Sequence, residues 1–125
     1  MRGIKFRGLS KNIDGTKEWA YGYLTKCDGE FTIDDEDGFG CFVDAETIGQ
    51  YTGLKDANDR EIYEGDIIKM IGYRHKGVVK YINGAFIIDW NDEHLNGSLY
   101  FWNNNQSSIE VIGNIFENKE LLEVE

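Results

Sequence analysis

Cys27, Cys41, His75 and His94 are the residue types that hold metals or act as nucleophiles. Together they form the donor set of a Cys2His2 zinc site. Structural zinc, however, takes its ligands as closely spaced pairs, because a short knuckle holds two on one side of the tetrahedron. Here all four stand singly, so no zinc site is predicted and both thiols are expected to be free, behaving as small hydrophobes. No motif places a nucleophile on a strained turn beside a base, so no catalytic residue is assigned. Gly49, Gly53 and Gly65 are spaced for turns and lack the Lys-Ser/Thr pair that meets a nucleotide and its magnesium. No cofactor is predicted.

The run Asp34-Asp35-Glu36-Asp37-Gly38 invites a calcium reading. A calcium loop needs oxygen ligands at positions 1, 3 and 5, glycine at 6 and a glutamate at 12. With Gly38 at the glycine position, Asp35 and Asp37 fall correctly, but Ile33 occupies the first ligand position and Asp44 the last. A hydrophobe at the first position breaks the site, leaving a solvated loop. Arg74, His75, Lys76 and Lys80 are the best candidates for a basic patch. Against them stand 23 acidic and 13 basic residues, a formal charge of −10. Non-specific affinity for a phosphate backbone comes from neutralising it with Lys and Arg, so duplex DNA is an unfavourable partner. The aromatics Trp19, Tyr21, Tyr23, Tyr73, Tyr81, Trp90, Tyr100 and Trp102 can stack bases or receive an extended peptide, and are expected mainly to form the core and its rim.

The elements that must position these groups are strands. Asp14-Gly15, Asp28-Gly29, Asp37-Gly38, Asn83-Gly84 and Asn96-Gly97 suit the tight turns of antiparallel sheets, since Asn and Asp tolerate positive φ and glycine has no Cβ to clash. Between them lie short runs of strand formers: Ile4 with Phe6, Trp19 with Tyr21 and Tyr23, Phe31 with Ile33, and Phe42 with Val43. Asn83-Gly84 sits directly between Val78–Ile82 and Ala85–Trp90 and predicts a hairpin. Ile109, Val111, Gly113 and Ile115 alternate in a last strand. Asn118 is placed to cap a short C-terminal helix, with Glu120 in its first turn and Leu121 and Leu122 packed on the sheet. At 125 residues one mainly β domain spanning 1–125 is predicted. No apolar run reaches the roughly 20 residues of a membrane helix, and no targeting segment is visible, so a cytoplasmic protein is predicted.

The stretch Ile48 to Lys69, with the opening MRGIKFRG and the later IEVIGNIFENKELLE, resembles the YopX protein family of phages and prophages. The resembling positions are Gln50, Tyr51, Thr52, Gly53, Leu54, Asp56, Ile62, Tyr63, Glu64, Gly65, Asp66, Glu110, Gly113 and Asn114. The resemblance implies antiparallel strands with a small SH3-like barrel element roughly within 61–116, a phage or prophage source, and no established activity. Physically, this signature reads as a fold determinant. Thr52-Gly53 is expected to end one strand, and Lys55 through Arg60 to form a polar hairpin tip. Ile62-Tyr63 then returns to the core, and Gly65 turns the chain in a conformation costly for other residues while Asp66 bonds backbone N–H groups.

Two functions are compatible with these features. One is a non-catalytic accessory protein, a protein-binding or self-associating β module with an unidentified protein partner or a second copy of itself. The alternative is an acidic modulator, a nucleic-acid mimic occupying a host nucleic-acid enzyme, for which only the net charge speaks. Neither requires a membrane.

Overall fold

The computed structural model describes residues 4–72, 75–91, 97–98 and 109–122. The fold is mainly β, with two antiparallel sheets and two short 3-10 turns among the described residues. The chain separates into two compact units, residues 1–51 and 52–125.

The first unit contains β1 (Phe6–Leu9), β2 (Trp19–Cys27), β3 (Glu30–Asp34), β4 (Gly40–Val43) and the opening of β5 (Gly49–Lys55), in the order β4-β3-β2-β1-β5. Asp28 and Gly29 take φ of 51° and 82°. Two successive left-handed residues make the two-residue turn whose twist matches the strands it joins, pairing Cys27 with Glu30 and Tyr23 with Asp34. Leu9, Ile33 and Val43 are buried. A Cβ on Gly8 would lie 3.0 Å from the Cβ of Val43, so glycine lets the two strands pack closely there. The 3-10 turn Ala45–Thr47 is capped by the Asp44 carboxylate, which accepts from Glu46 N at 3.1 Å. The Thr47 hydroxyl accepts the N–H of Leu9 at 2.9 Å.

The second unit holds the rest of β5, with β6 (Glu61–Tyr63) beside it. It also holds β7 (Asp66–Met70), β8 (Lys76–Ile82), β9 (Ala85–Asp89), β10 (Gly97–Ser98) and β11 (Ile109–Asn114). The last five form a sheet in the order β10-β9-β8-β7-β11. The Asn83-Gly84 hairpin forms as predicted, with φ of 52° and 83° and Ile82 opposite Ala85. Ile62, Ile68, Val79, Ile88, Trp90, Ile109 and Val111 make one buried cluster, with Leu54, Met70 and Phe86 packed against it. Burying such a side chain contributes about 1.5–3 kcal/mol relative to leaving it in water. A Cβ on Gly77 would come within 2.6 Å of Ile88 Cγ2 and 2.9 Å of Trp90 Cε3, so this cluster packs directly on the β8 backbone.

Several local expectations change. Neither sheet closes among the described residues, so the SH3-like element expected within 61–116 is seen as an open antiparallel sheet. β5 does not end at Thr52-Gly53 but runs through it to Lys55, with Gly53 at φ +86° inside the strand. The last strand stops at Asn114, and a bulge between Val111 and Gly113 interrupts its alternation. Gly97 begins a strand, while Asn96 lies outside the described residues. The C-terminal helix is a four-residue 3-10 turn, Lys119–Leu122, burying none of its residues. Leu122 remains 41% exposed instead of packing on the sheet. Asn118 turns its side chain backwards, accepting from Asn114 N at 3.1 Å, so the side chain secures the end of β11, while its carbonyl accepts from Leu121 N at 2.9 Å in the turn ahead.

Candidate functional site

The signature residues converge on three polar hubs inside the second unit. The first is Asp56, a buried carboxylate at the turn between β5 and β6. Its Oδ1 accepts from Asn58 N and Arg60 N, both at 2.9 Å, and its Oδ2 accepts from Val111 N at 2.8 Å. Around it, Ala57 N donates to Ile109 O at 2.9 Å and the Arg60 guanidinium to Val111 O at 3.3 Å. The Asn58 amide reaches Glu110 Oε2 at 3.4 Å. These bonds occupy the outer side of β11, which otherwise ends the sheet with bare N–H and C=O groups.

The second hub is Asp66, fully buried, whose Oδ2 accepts from Tyr63 N at 2.8 Å across the β6–β7 turn. Gly65 stands in that turn at φ +95°, as expected, and ties β8 and the residue just after β11 to it. Its N–H donates to Val79 O and its carbonyl accepts from Ile115 N, both at 2.9 Å. The third hub is Asn114, whose Oδ1 accepts from Phe116 N at 3.0 Å and Glu117 N at 2.9 Å. A Cβ on Gly113 would meet Asn118 Oδ1 at 2.6 Å, which explains a glycine before this hub.

Of the other signature residues, Ile62 and Tyr63 are buried, and the Tyr63 hydroxyl donates to Glu61 Oε1 at 2.8 Å. The Thr52 hydroxyl donates to Ile62 O at 2.8 Å and accepts from Leu54 N at 3.2 Å, stitching β5 where Gly53 distorts it. Gln50, Tyr51 and Glu64 are half-buried and Leu54 packs on the core. Gln50 and Tyr51 belong to the first unit, so the signature spans the boundary of the two.

The remaining sequence candidates do not assemble. Lys76 Nζ donates to Leu121 O at 3.0 Å and Lys80 Nζ pairs with Asp89 at 2.7 Å, so the two described lysines of the basic patch are engaged. His75 is exposed; Arg74 and His94 lie outside the described residues. Cys27 and Cys41 are free thiols on β2 and β4, with β3 between them. Among the described residues no three His, Cys, Asp or Glu side chains gather as metal ligands do. The Thr16 hydroxyl and then the Thr16 N–H, both donating to Asp14, hold its carboxyl below the ordinary 3.8.

The aromatics divide differently from expectation. Trp90 is core and Trp19 half-buried, its ring 4.4 Å from the Arg7 guanidinium carbon. Tyr21 and Tyr23 are 46% and 49% exposed, and Tyr81, packed on Phe86, is exposed too. Tyr73, Tyr100 and Trp102 lie outside the described residues. Directly paired residues share a sheet face. Tyr21 and Tyr23 alternate on β2 with Thr25; Thr25 is opposite Thr32, and Thr32 is opposite Phe42. Tyr21, Tyr23 and Phe42 therefore stand on one face of the first unit. Tyr21 and Tyr23 also line a cleft of about 470 Å³, together with Lys5, Gly22, Asp35, Glu36 and Asp37. Reading the sequence residue by residue missed this cleft. Its signal was the Asp28-Gly29 turn, which sets Tyr23 opposite Asp34 and so beside the acidic run.

Fold and site together define an antiparallel β protein whose signature side chains brace turns and a sheet edge, with an aromatic face elsewhere. The chain belongs to the YopX protein family, whose model matches residues 1–123. No curated protein matches it.

Proposed function

We propose that this YopX protein is a non-catalytic binding module that recognises a protein partner through the aromatic face of its first unit, inside a bacterium carrying the encoding phage or prophage. One observation carries the reading. Tyr21, Tyr23 and Phe42 share a face while 46%, 49% and 55% exposed, and Phe39 adds a further 75% in the adjoining turn. Exposed large apolar groups cost solvation, and aromatics are enriched at the centres of interfaces, where their area is recovered. The signature, whose buried carboxylates and amide bond backbone groups, serves in this reading as scaffold. The short strands and tight turns of the second unit support an SH3-like relationship for its open sheet.

The test uses the full chain and its Tyr23→Ser/Phe42→Ser variant as baits against a bacterial host lysate, read by mass spectrometry. A protein retained by the wild type and lost by an equally folded variant supports the reading. Equal retention by both removes the aromatic face from binding. Sedimentation velocity on each identifies a second copy as the partner if the wild type alone dimerises.

A further inference from the structure

We propose that the cleft between Tyr21, Tyr23 and the Asp35–Asp37 turn receives the guanidinium or ammonium group of a basic protein segment. The inference rests on the binding-module reading and names the partner's chemistry. Tyr21 and Tyr23 are two residues apart on β2, about 7 Å along one face. Gly22 between them allows close approach of the next strand's end, since a Cβ there would run into the Asp34 carbonyl oxygen. The strand pairing sets Asp34 opposite Tyr23, and the acidic turn follows directly. Asp35 holds that turn, its Oδ1 accepting from Asp37 N and Phe39 N, both at 2.9 Å.

The cleft wall thus carries two half-exposed aromatic rings and three carboxylates against the single ammonium of Lys5, which stands 5.8 Å from the Tyr51 ring centre. Its volume of about 470 Å³ falls within the range of ligand pockets, roughly 300–1,000 Å³. Charge complementarity selects a cation. The carboxylates do not gather as a chelating group among the described residues, which disfavours a metal ion. Aromatic rings beside acids suit a weakly hydrated organic cation instead, because the ring faces are negative. Phe42 on the same sheet face supplies apolar surface for neighbouring side chains of a polypeptide.

The experiment titrates the full protein with an acetylated, amidated tetra-arginine peptide, followed by amide NMR, with the tetra-citrulline peptide and spermidine as comparison arms. The expected result is shifts confined to 20–23 and 35–39, with none from citrulline. Tyr23→Leu and Glu36→Gln/Asp37→Asn should each weaken binding by about two- to fivefold, while circular dichroism stays unchanged. Shifts spread over the acidic surface, or affinity indifferent to both variants, would overturn the proposal. Spermidine binding as tightly as the peptide would overturn its assignment to a protein segment. If Tyr23→Ser/Phe42→Ser loses a captured partner that Glu36→Gln/Asp37→Asn retains, the binding module stands and the cation site falls.

Discussion

Asp56→Ala should destabilise the protein by about 3 kcal/mol, because it removes one acceptor from three backbone donors at once. The Val111 N–H, bonded at 2.8 Å in a buried strand, loses its partner away from water. Leaving such a donor unsatisfied costs about 1–3 kcal/mol. Asn58 N and Arg60 N belong to exposed residues and can turn to water, so each loses only about 0.5–1 kcal/mol. The three together span about 2–5 kcal/mol, and about 3 kcal/mol within that range is equivalent to about 10 °C in melting temperature for a chain of this length. Asp56→Asn isolates the third bond. It can keep Oδ1 toward the turn, but then sets an NH2 against the Val111 N–H, donor facing donor. Glu30→Gln is the control: its pair with Lys11 is 3.6 Å long with both side chains half exposed, and should move stability by less than about 1 kcal/mol. Calorimetry and urea unfolding give the magnitudes, and hydrogen exchange at the Val111 amide gives the location. A melting temperature lowered by less than about 3 °C, with that amide still protected, would refute the reasoning.

Gly65→Val should cost about 1–3 kcal/mol, since a β-branched residue is strained at φ +95°; an unchanged urea midpoint would show that the turn adapts. Gly77→Ala should cost a similar amount, about 1–3 kcal/mol, by pressing a methyl into Ile88 and Trp90, and Trp90 fluorescence should report the displaced ring. The Asp14 carboxyl should titrate below 3.8 by NMR. Because its folded value is depressed, its contribution is present above the unfolded value and disappears as pH falls through the folded one, and Thr16→Val should return the group toward 3.8. Duplex DNA should bind more weakly than about 10⁻⁴ M near physiological salt, given a charge of −10; a gel shift at low micromolar protein would contradict this.

Local chemistry was legible in the sequence where a few adjacent residues decide the outcome. Asp28-Gly29 and Asn83-Gly84 each set a two-residue turn, and from such a turn the register of a whole hairpin follows by counting outward. Gly65 was legible for the same reason, as was the Asp66 carboxylate, three positions from the N–H it accepts. Asp56 was legible as a turn residue only. Its bond to Val111 joins positions 55 apart, and nothing in either neighbourhood announces the other. The C-terminal turn misled because the Asn118 side chain can serve the residues before it as readily as those after, and Gly113, with no Cβ to meet its Oδ1, leaves room for the backward choice. Tyr21 and Tyr23 read as core or its rim because aromatic residues on a strand usually are; burial depends on what covers that face, which strand alternation does not encode.

The Asp56 carboxylate also orders events in time. Its two bonds within the turn close over two and four residues, a span the chain samples in well under a microsecond. Its third waits for β11, the most C-terminal of the described strands. On a ribosome, the turn can therefore be shaped long before the strand it will seal exists, holding an acceptor open for Val111. In the full-length chain that third bond must also close a separation of 55 positions, so it is expected to form after the two local ones, and its loss should accelerate unfolding more than it slows folding. Stopped-flow kinetics on Asp56→Asn would show this as faster unfolding beside a nearly unaltered refolding limb.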